Sequence, residues 1–413
     1  MTVVPVAPSR SLVGDWRRPA LIVLCGCLIS MISFGPRSSL GFFLTPQSQA
    51  NGWGRDVFGL ALAAQNILWG LGQPTAGILA DRFGVVRVLC AGGILYALGL
   101  AIMAFATTPL ILDLSAGCLI GFGLAGCSFG IVLAAFGKLL PEHWRLPAFG
   151  AGTAAGSFGQ FLYAPLTVSL IDSVGWQETL EIFGLVMLLV VPASLALATR
   201  NVGTRISQGS PQSLPQALSE AFAQRSYLLL VLGYFTCGFQ LAFITVHLPA
   251  YLVDRGLPIE VGGWTIAAIG LFNIVGSLMS GWLGNLMPKR YLLSIIYVAR
   301  ALAIWGFIAF PITAPSALLF GAVMGLLWLS TIAPTNGIIA VMFGTRWLAT
   351  LSGFAFFSHQ VGGFLGVWLG GVVFERTGSY DSVWYLSILF GLLSALINLP
   401  IVEKPVQRAA AMA

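Results

Sequence analysis

The chain has 413 residues, 57% of them hydrophobic and only 8% charged, with a mean hydropathy of +0.91. Soluble domains carry about 25% charged residues, so this composition excludes a water-soluble globular protein and points to a membrane protein. The net charge of +6 does not indicate nucleic-acid binding, because the basic residues are spread over short polar connections rather than gathered in a patch.

A polar tail, 1–18, precedes an apolar run that is too long for the core of a cleavable leader. Crossing a hydrocarbon core takes about 20 helical residues. Twelve apolar segments of that order follow: 19–44, 57–80, 87–106, 110–138, 146–170, 178–199, 227–253, 262–286, 291–310, 315–342, 348–374 and 382–401. One connection, 200–226, is long and polar; it separates a first half, 19–199, from a second, 227–401, and a tail, 402–413, ends the chain. The predicted class is therefore all-α, with twelve transmembrane helices. With the N-terminus in the cytoplasm, fifteen Lys and Arg fall inside and three (Arg55, Arg255, Arg376) outside. That bias sets the orientation and places both termini and the central connection in the cytoplasm. The six cysteines all lie in apolar segments without metal-ligand spacing, which fits small buried hydrophobes.

Two arginines interrupt apolar segments: Arg37 in SMISFGPRSSLGFFL (30–44) and Arg300 in SIIYVARALAIWGF (294–307). A cation in hydrocarbon costs ~2.5 to over 10 kcal/mol, and neither segment supplies an acid to pair with it. At least one of the two is expected to face a water-filled cavity and meet an anion. A guanidinium suits a carboxylate because its fork donates two parallel hydrogen bonds. Arg37 follows Pro36 and is the leading candidate for a substrate clamp, whereas Arg300 is as readily a structural bridge.

The chain also repeats itself. GILADRFGVVR (77–87), after the second span, is echoed by GWLGNLMPKR (281–290), after the eighth. Gly77 matches Gly281 at an offset of 204 residues, and Gly117 and Gly121 match Gly321 and Gly325 at the same offset. Halves related in this way characterise rocking carriers, whose solute site lies between them. The first of these loops resembles the signature of the major facilitator superfamily, on Gly77, Asp81, Arg82, Gly84 and Arg87, with Gly281 and Asn285 in the echo. The resemblance implies two pseudo-symmetric six-helix bundles and transport by alternating access, with Asp81 pairing across helix ends to hold one side shut.

Within that superfamily, FGPRSSLGFFLTPQ (34–47) resembles the first span of monocarboxylate porters and their bacterial relatives, including oxalate/formate antiporters. The resemblance puts the porters' functional lysine at Arg37, an Asp and an Arg of their eighth span at Asn273 and Ser277, and an antiporter lysine roughly at His359. It implies a secondary transporter of a small organic anion, a mono- or dicarboxylate, working by proton symport or anion exchange in the bacterial inner membrane. Cavity helices of that fold would carry His247, His359, Gln360, Gln160, Tyr163, Trp328 and Asn336, with Arg300 on a peripheral helix. His247, His359 and Asp113 are candidates for proton coupling, imidazole being the side chain that changes charge near neutrality. Gln65, Trp69 and Gln73 share one face of the second span. Glycines 150, 152, 156 and 159 would give the fifth a smooth sliding face.

No enzyme motif, metal-ligand set or cofactor-binding loop stands out, so the expectation is a monomeric carrier with no cofactor, a small anion as its partner with or without protons, and no nucleic acid. A multidrug or other metabolite exporter of the same fold is the alternative, with a polytopic membrane enzyme behind it. The exporter reading is weakened by the buried Arg in place of a buried acid and by GSFGQFLYAP (156–165).

Overall fold

The structure is a computed structural model that describes residues 18–198, 212–344 and 347–406. Arg10, Arg17, Arg200, Arg205, Arg346 and Arg408, counted above for orientation, lie outside the described residues. The described chain forms long helices joined by short turns: α1 (Pro19–Asn51), α2 (Arg55–Phe83), α3 (Val85–Ala104), α4 (Pro109–Leu139), α5 (Glu142–Val174) and α6 (Trp176–Leu197) in the first half. The second half has α7 (Arg225–Asp254), α8 (Ile259–Leu286), α9 (Lys289–Ala309), α10 (Ala314–Phe343), α11 (Leu348–Thr377) and α12 (Asp381–Asn398). Among the described residues eleven of these are long and apolar enough to cross a membrane. The remaining one, α2, has the length, at 29 residues, but carries Gln65, Asn66 and Gln73 along its middle. The polar connection is not all loop: Ser213 caps a short helix, Leu214–Ala223, through a reciprocal box with Gln216.

Large apolar side chains face outward. Leu24, Ile78, Leu185, Leu278 and Leu396 are each more than 60% exposed, as lipid contact requires and water would penalise. Inside, there are two cores. Phe43, Phe58, Tyr96, Phe136 and Phe183 belong to the first half's core, and Phe239, Phe243, Tyr297, Phe320 and Trp384 to the second's. The halves meet along two matched seams, α2 against α11 and α5 against α8, while α1 crosses α7.

The sequence duplication is a packing duplication. A methyl group at Gly117 would lie 3.2 Å from the Ala61 carbonyl oxygen, and one at Gly321 would lie 2.6 Å from that of Thr265, 204 residues further along each helix. Gly121 against Gln65 and Gly325 against Ile269 repeat the match, at 3.0 and 2.7 Å. Only glycine lets α4 approach α2, and α10 approach α8, so closely. Both α4 and α10 begin at a capping threonine, Thr108 and Thr313. Both are also interrupted at equivalent depth, α4 at Cys127–Ser128 and α10 at Trp328–Thr331. Paired breaks of this kind free backbone carbonyls and N–H groups that other partners must satisfy.

The α5 glycines pack inside the first half rather than at its seam with the second. Gly152 faces Phe136, and Gly156 and Gly159 pack on α1, all within the first half, while Gly150 meets nothing. At the α5–α8 seam the close approach comes from α8 instead, where a methyl at Gly270 would lie 2.7 Å from the Phe161 nitrogen.

Candidate functional site

Pro36 has no N–H to donate within α1, and the helix tightens into a 3₁₀ turn over Leu40–Phe43. This directs Arg37 toward α2, where its Nη2 donates to Asn66 Oδ1 at 3.1 Å. Its guanidinium lies 4.7 Å from the Trp69 ring centre and 5.7 Å from that of Phe34, within cation–π range. Its Nε is buried and has no partner. The Arg37 hydrogen bond thus goes to a neutral amide rather than a carboxylate. A cavity of about 10 Å³ adjoins it, lined by Arg37, Leu40, Gln65, Asn66, Thr245 and Val246 among others, and so lying between the halves. That is room for roughly one water. Gly41 allows the closure, since a methyl there would lie 2.7 Å from the Val246 carbonyl oxygen of α7.

Arg300 has a different environment. It is wholly buried, and its Nε and Nη2 donate to the Leu327 carbonyl at 3.1 and 2.5 Å, with Nη2 also reaching that of Trp328 at 2.5 Å. These are the carbonyls freed where α10 breaks, and a cation there completes a helix C-terminus. Trp328 is buried, and Asn336 is half-buried one turn beyond the break.

The two histidines also part. His247 is wholly buried, with Nε2 2.8 Å from the Val367 carbonyl oxygen and Nδ1 3.3 Å from the Tyr380 hydroxyl. His359 is half-buried, stacked on Phe356 and packed on Tyr234, with Nδ1 3.0 Å from Gln360 Oε1. The buried Gln360 donates from Nε2 to the Asn66 carbonyl oxygen at 3.2 Å. Polar contacts therefore lead from His359 through Gln360 to the main chain of Asn66, whose side chain meets Arg37, across the α2–α11 seam.

Asn273, where the porter resemblance puts an acid, bridges the other seam. Its Nδ2 donates to Ser157 Oγ at 2.8 Å, while Oδ1 accepts from the Leu329 N–H at 3.0 Å and from Ser277 Oγ at 3.2 Å. Gln160 is buried with Nε2 unpartnered, and the Tyr163 ring packs on Gly35 and Phe183. Along α2, Gln65 donates to the Ala116 carbonyl at 2.7 Å and Gln73 to Ser128 Oγ at 2.9 Å, at the π-helical stretch and the break of α4. Asp113 begins that stretch, and its Oδ1 is buried and unpartnered.

In the signature loop, Asp81 pairs with Lys138 at 2.5 Å, both about half exposed. The pair joins α2 to α4 inside the first half, so here Asp81 does not tie one half to the other. Gly84, at φ 92°, forms the turn from α2 to α3; Arg82 lies over Phe83, Arg87 is exposed, and Gly77 and Gly281 border open space. Asn285 Nδ2 donates to the Gly281 carbonyl at 3.3 Å.

The opposite end of the molecule holds a contact that the sequence reading missed. Arg55 of α2 makes a two-pronged pair with Asp254 of α7, at 2.6 and 2.8 Å. Its Nη1 also donates to the Tyr380 hydroxyl at 2.9 Å, its backbone N–H to Glu375 at 2.6 Å, and its guanidinium lies 3.8 Å from the Phe374 ring centre. This latch joins the halves and touches His247 through Tyr380. The available signal was a lone base at one helix start and acids ending α7 and α11.

The sequence is 28% identical to an MFS-type transporter, YcxA, of Bacillus subtilis, over 91% of this chain and 93% of that protein. It is 26% identical to monocarboxylate transporter 11 of Homo sapiens, over 94% of this chain and 82% of that one. A bacterial homolog of the human lysosomal transporter Spinster, solved inward-facing and occupied, superposes with a TM-score of 0.74 at 16% identity, covering 93% and 97% of the two chains. A D-xylose–proton symporter does so at 0.70 and 15%, covering 95% and 99%. The sequence pattern of the Major Facilitator Superfamily matches residues 26–367. Two halves alike in sequence and packing, meeting at matched seams, are the architecture such a match requires, and the chain belongs to the Major Facilitator Superfamily.

Proposed function

We propose that the protein is a secondary transporter that moves a small organic anion, a mono- or dicarboxylate, across the bacterial inner membrane by alternating access, with both termini cytoplasmic. The observation that carries this reading is Arg37: a guanidinium at the cavity between the halves, hydrogen-bonded to an amide, with one nitrogen unpartnered. Charge-assisted, two-pronged binding of a carboxylate would satisfy what Asn66 leaves unmet. The likeness to a monocarboxylate transporter supports the same class of solute. Under the orientation read from the basic residues, the Arg55 latch closes the outer end. Arg300, His247 and Asn273 are assigned to the scaffold, holding respectively the α10 break, the latch and the α5–α8 seam.

The test is uptake of labelled lactate, pyruvate, oxalate and formate into proteoliposomes, with and without a pH gradient. Arg37→Gln is expected to lower kcat/KM at least about 100-fold, a loss of ~3 kcal/mol in transition-state binding, while the protein still folds and inserts. Normal kinetics in that variant would remove the clamp. Saturable uptake of an organic cation but of no acid would favour an exporter instead.

A further inference from the structure

The cavity beside Arg37 has room for about one water. A carboxylate cannot enter it while the Asn66 side chain stays where it is. Asn66 is buried, at 4% exposure, and both ends of its amide are engaged: Oδ1 accepts from Arg37, and Nδ2 donates to the Leu62 carbonyl one turn earlier at 2.9 Å. Because that carbonyl can only accept, it fixes the amide with its oxygen toward the guanidinium. The α11 backbone closes over the same oxygen, which would lie 3.2 Å from a methyl at Gly363, while Gln360 of α11 separately holds the Asn66 main-chain carbonyl.

Resting on the assignment of Arg37 as the anion clamp, we propose that Asn66 is a placeholder for the substrate. Its amide oxygen takes the acceptor position on Arg37 that a substrate carboxylate occupies, and its displacement loosens the α2–α11 seam between the halves. An amide suits this role because it keeps the guanidinium positioned and hydrogen-bonded without cancelling its charge. A carboxylate, carrying charge and two acceptor oxygens, outcompetes it. An acid at this position would compete with the substrate on equal terms. The placeholder also gives substrate a route to affect conformation, since the amide oxygen released from Arg37 is the atom on which Gly363 of the other half is packed.

The experiment is a KM-against-kcat comparison of Asn66→Asp, Asn66→Ala and Asn66→Ser in proteoliposomes, with Arg37→Gln alongside. The probe is whichever of pyruvate, lactate, oxalate and formate the unaltered protein takes up fastest. Asn66→Asp, which keeps an oxygen facing Arg37, is expected to raise KM about tenfold or more, because the introduced carboxylate occupies the clamp. Asn66→Ala, which removes the competitor, is expected to lower KM about threefold while kcat falls or holds. Asn66→Ser serves as the neutral check should the alanine variant fold poorly, and is also expected not to raise KM. Opposite KM shifts for the acid and the neutral variants support the placeholder. A KM rise in all three, or no change in any, overturns it, since a residue serving only to pack the seam would move them together. If Arg37→Gln abolishes uptake while the Asn66 variants behave alike, the clamp stands and only the placeholder fails. If Arg37→Gln transports normally, the clamp itself is wrong.

Discussion

Arg37 and Arg300 show how one residue type in one kind of sequence context acquires two environments. Each is a lone cation in an apolar helix with one buried nitrogen unpartnered, yet Arg37 borders a cavity, whereas Arg300 donates from Nε and Nη2 to the carbonyls of a broken helix. Arg300→Met would strand those buried carbonyls at a cost of about 1–3 kcal/mol each. It is expected to lower thermal stability in detergent while leaving the KM of the folded fraction unchanged; a raised KM with normal stability would place Arg300 in the substrate path. His359 stands at the end of the contacts that lead through Gln360 to the main chain of Asn66, whose side chain meets Arg37. His359→Ala is expected to weaken substrate affinity or shift the pH profile of uptake, and an unaltered profile would reduce it to scaffold. Arg37 was legible in the sequence because a charge in an apolar run is conspicuous. Asn66 was not. It lies beside Gln65 on a helix already rich in polar residues, and its meaning comes from an arginine 29 positions away.

At the scale of the helix, glycines determine how near two backbones come, and interruptions determine where polar groups become available. The duplicated pairs Gly117–Ala61 and Gly321–Thr265 show the first, and the breaks at Cys127 and Thr331 the second. The seam glycine Gly270 sits where α5 and α8 must part and rejoin if the halves rock. Gly270→Val would place side-chain atoms against the Phe161 nitrogen and the Ser157 carbonyl, an overpacking of ~1–3 kcal/mol. The expected outcome is a protein that elutes as a single folded species from size-exclusion chromatography but has lost most uptake. Full uptake would show that this seam does not move during transport. The α5 glycines seat α1 and α4, and sequence spacing reports that a smooth face exists but not which neighbour it meets.

For the whole molecule, the question is which end is bolted. The Arg55–Asp254 pair crosses between the halves, whereas Asp81–Lys138 and Arg255–Asp381 each stay within one half. A partly buried, two-pronged pair of this type contributes ~1–3 kcal/mol, which is enough to shift a two-state equilibrium about 5–150-fold without freezing it. Arg55→Asp is therefore expected to slow the transport cycle by disfavouring closure of that end, and the swapped pair Arg55→Asp with Asp254→Arg to restore part of the rate. A swap no better than the single change would mean that the latch works through Tyr380 and Phe374 rather than through charge. A further check is a disulfide between Arg55→Cys and Asp254→Cys, which should arrest uptake until it is reduced.

Unaided, the sequence determined that the chain lies in a membrane, that it is helical, and that its halves repeat. A bilayer makes hydropathy along the chain read directly as spans, and a repeated offset survives in any linear comparison. The tertiary structure alone decided which arginine faces the cavity, that Asn66 and Gln360 connect the halves, and that Arg55 bolts one end. Those outcomes depend on how helices cross, and their partners lie as far as 199 to 325 residues apart along the chain. No local pattern encodes such distances; they exist only once α1, α2, α7 and α11 are packed together.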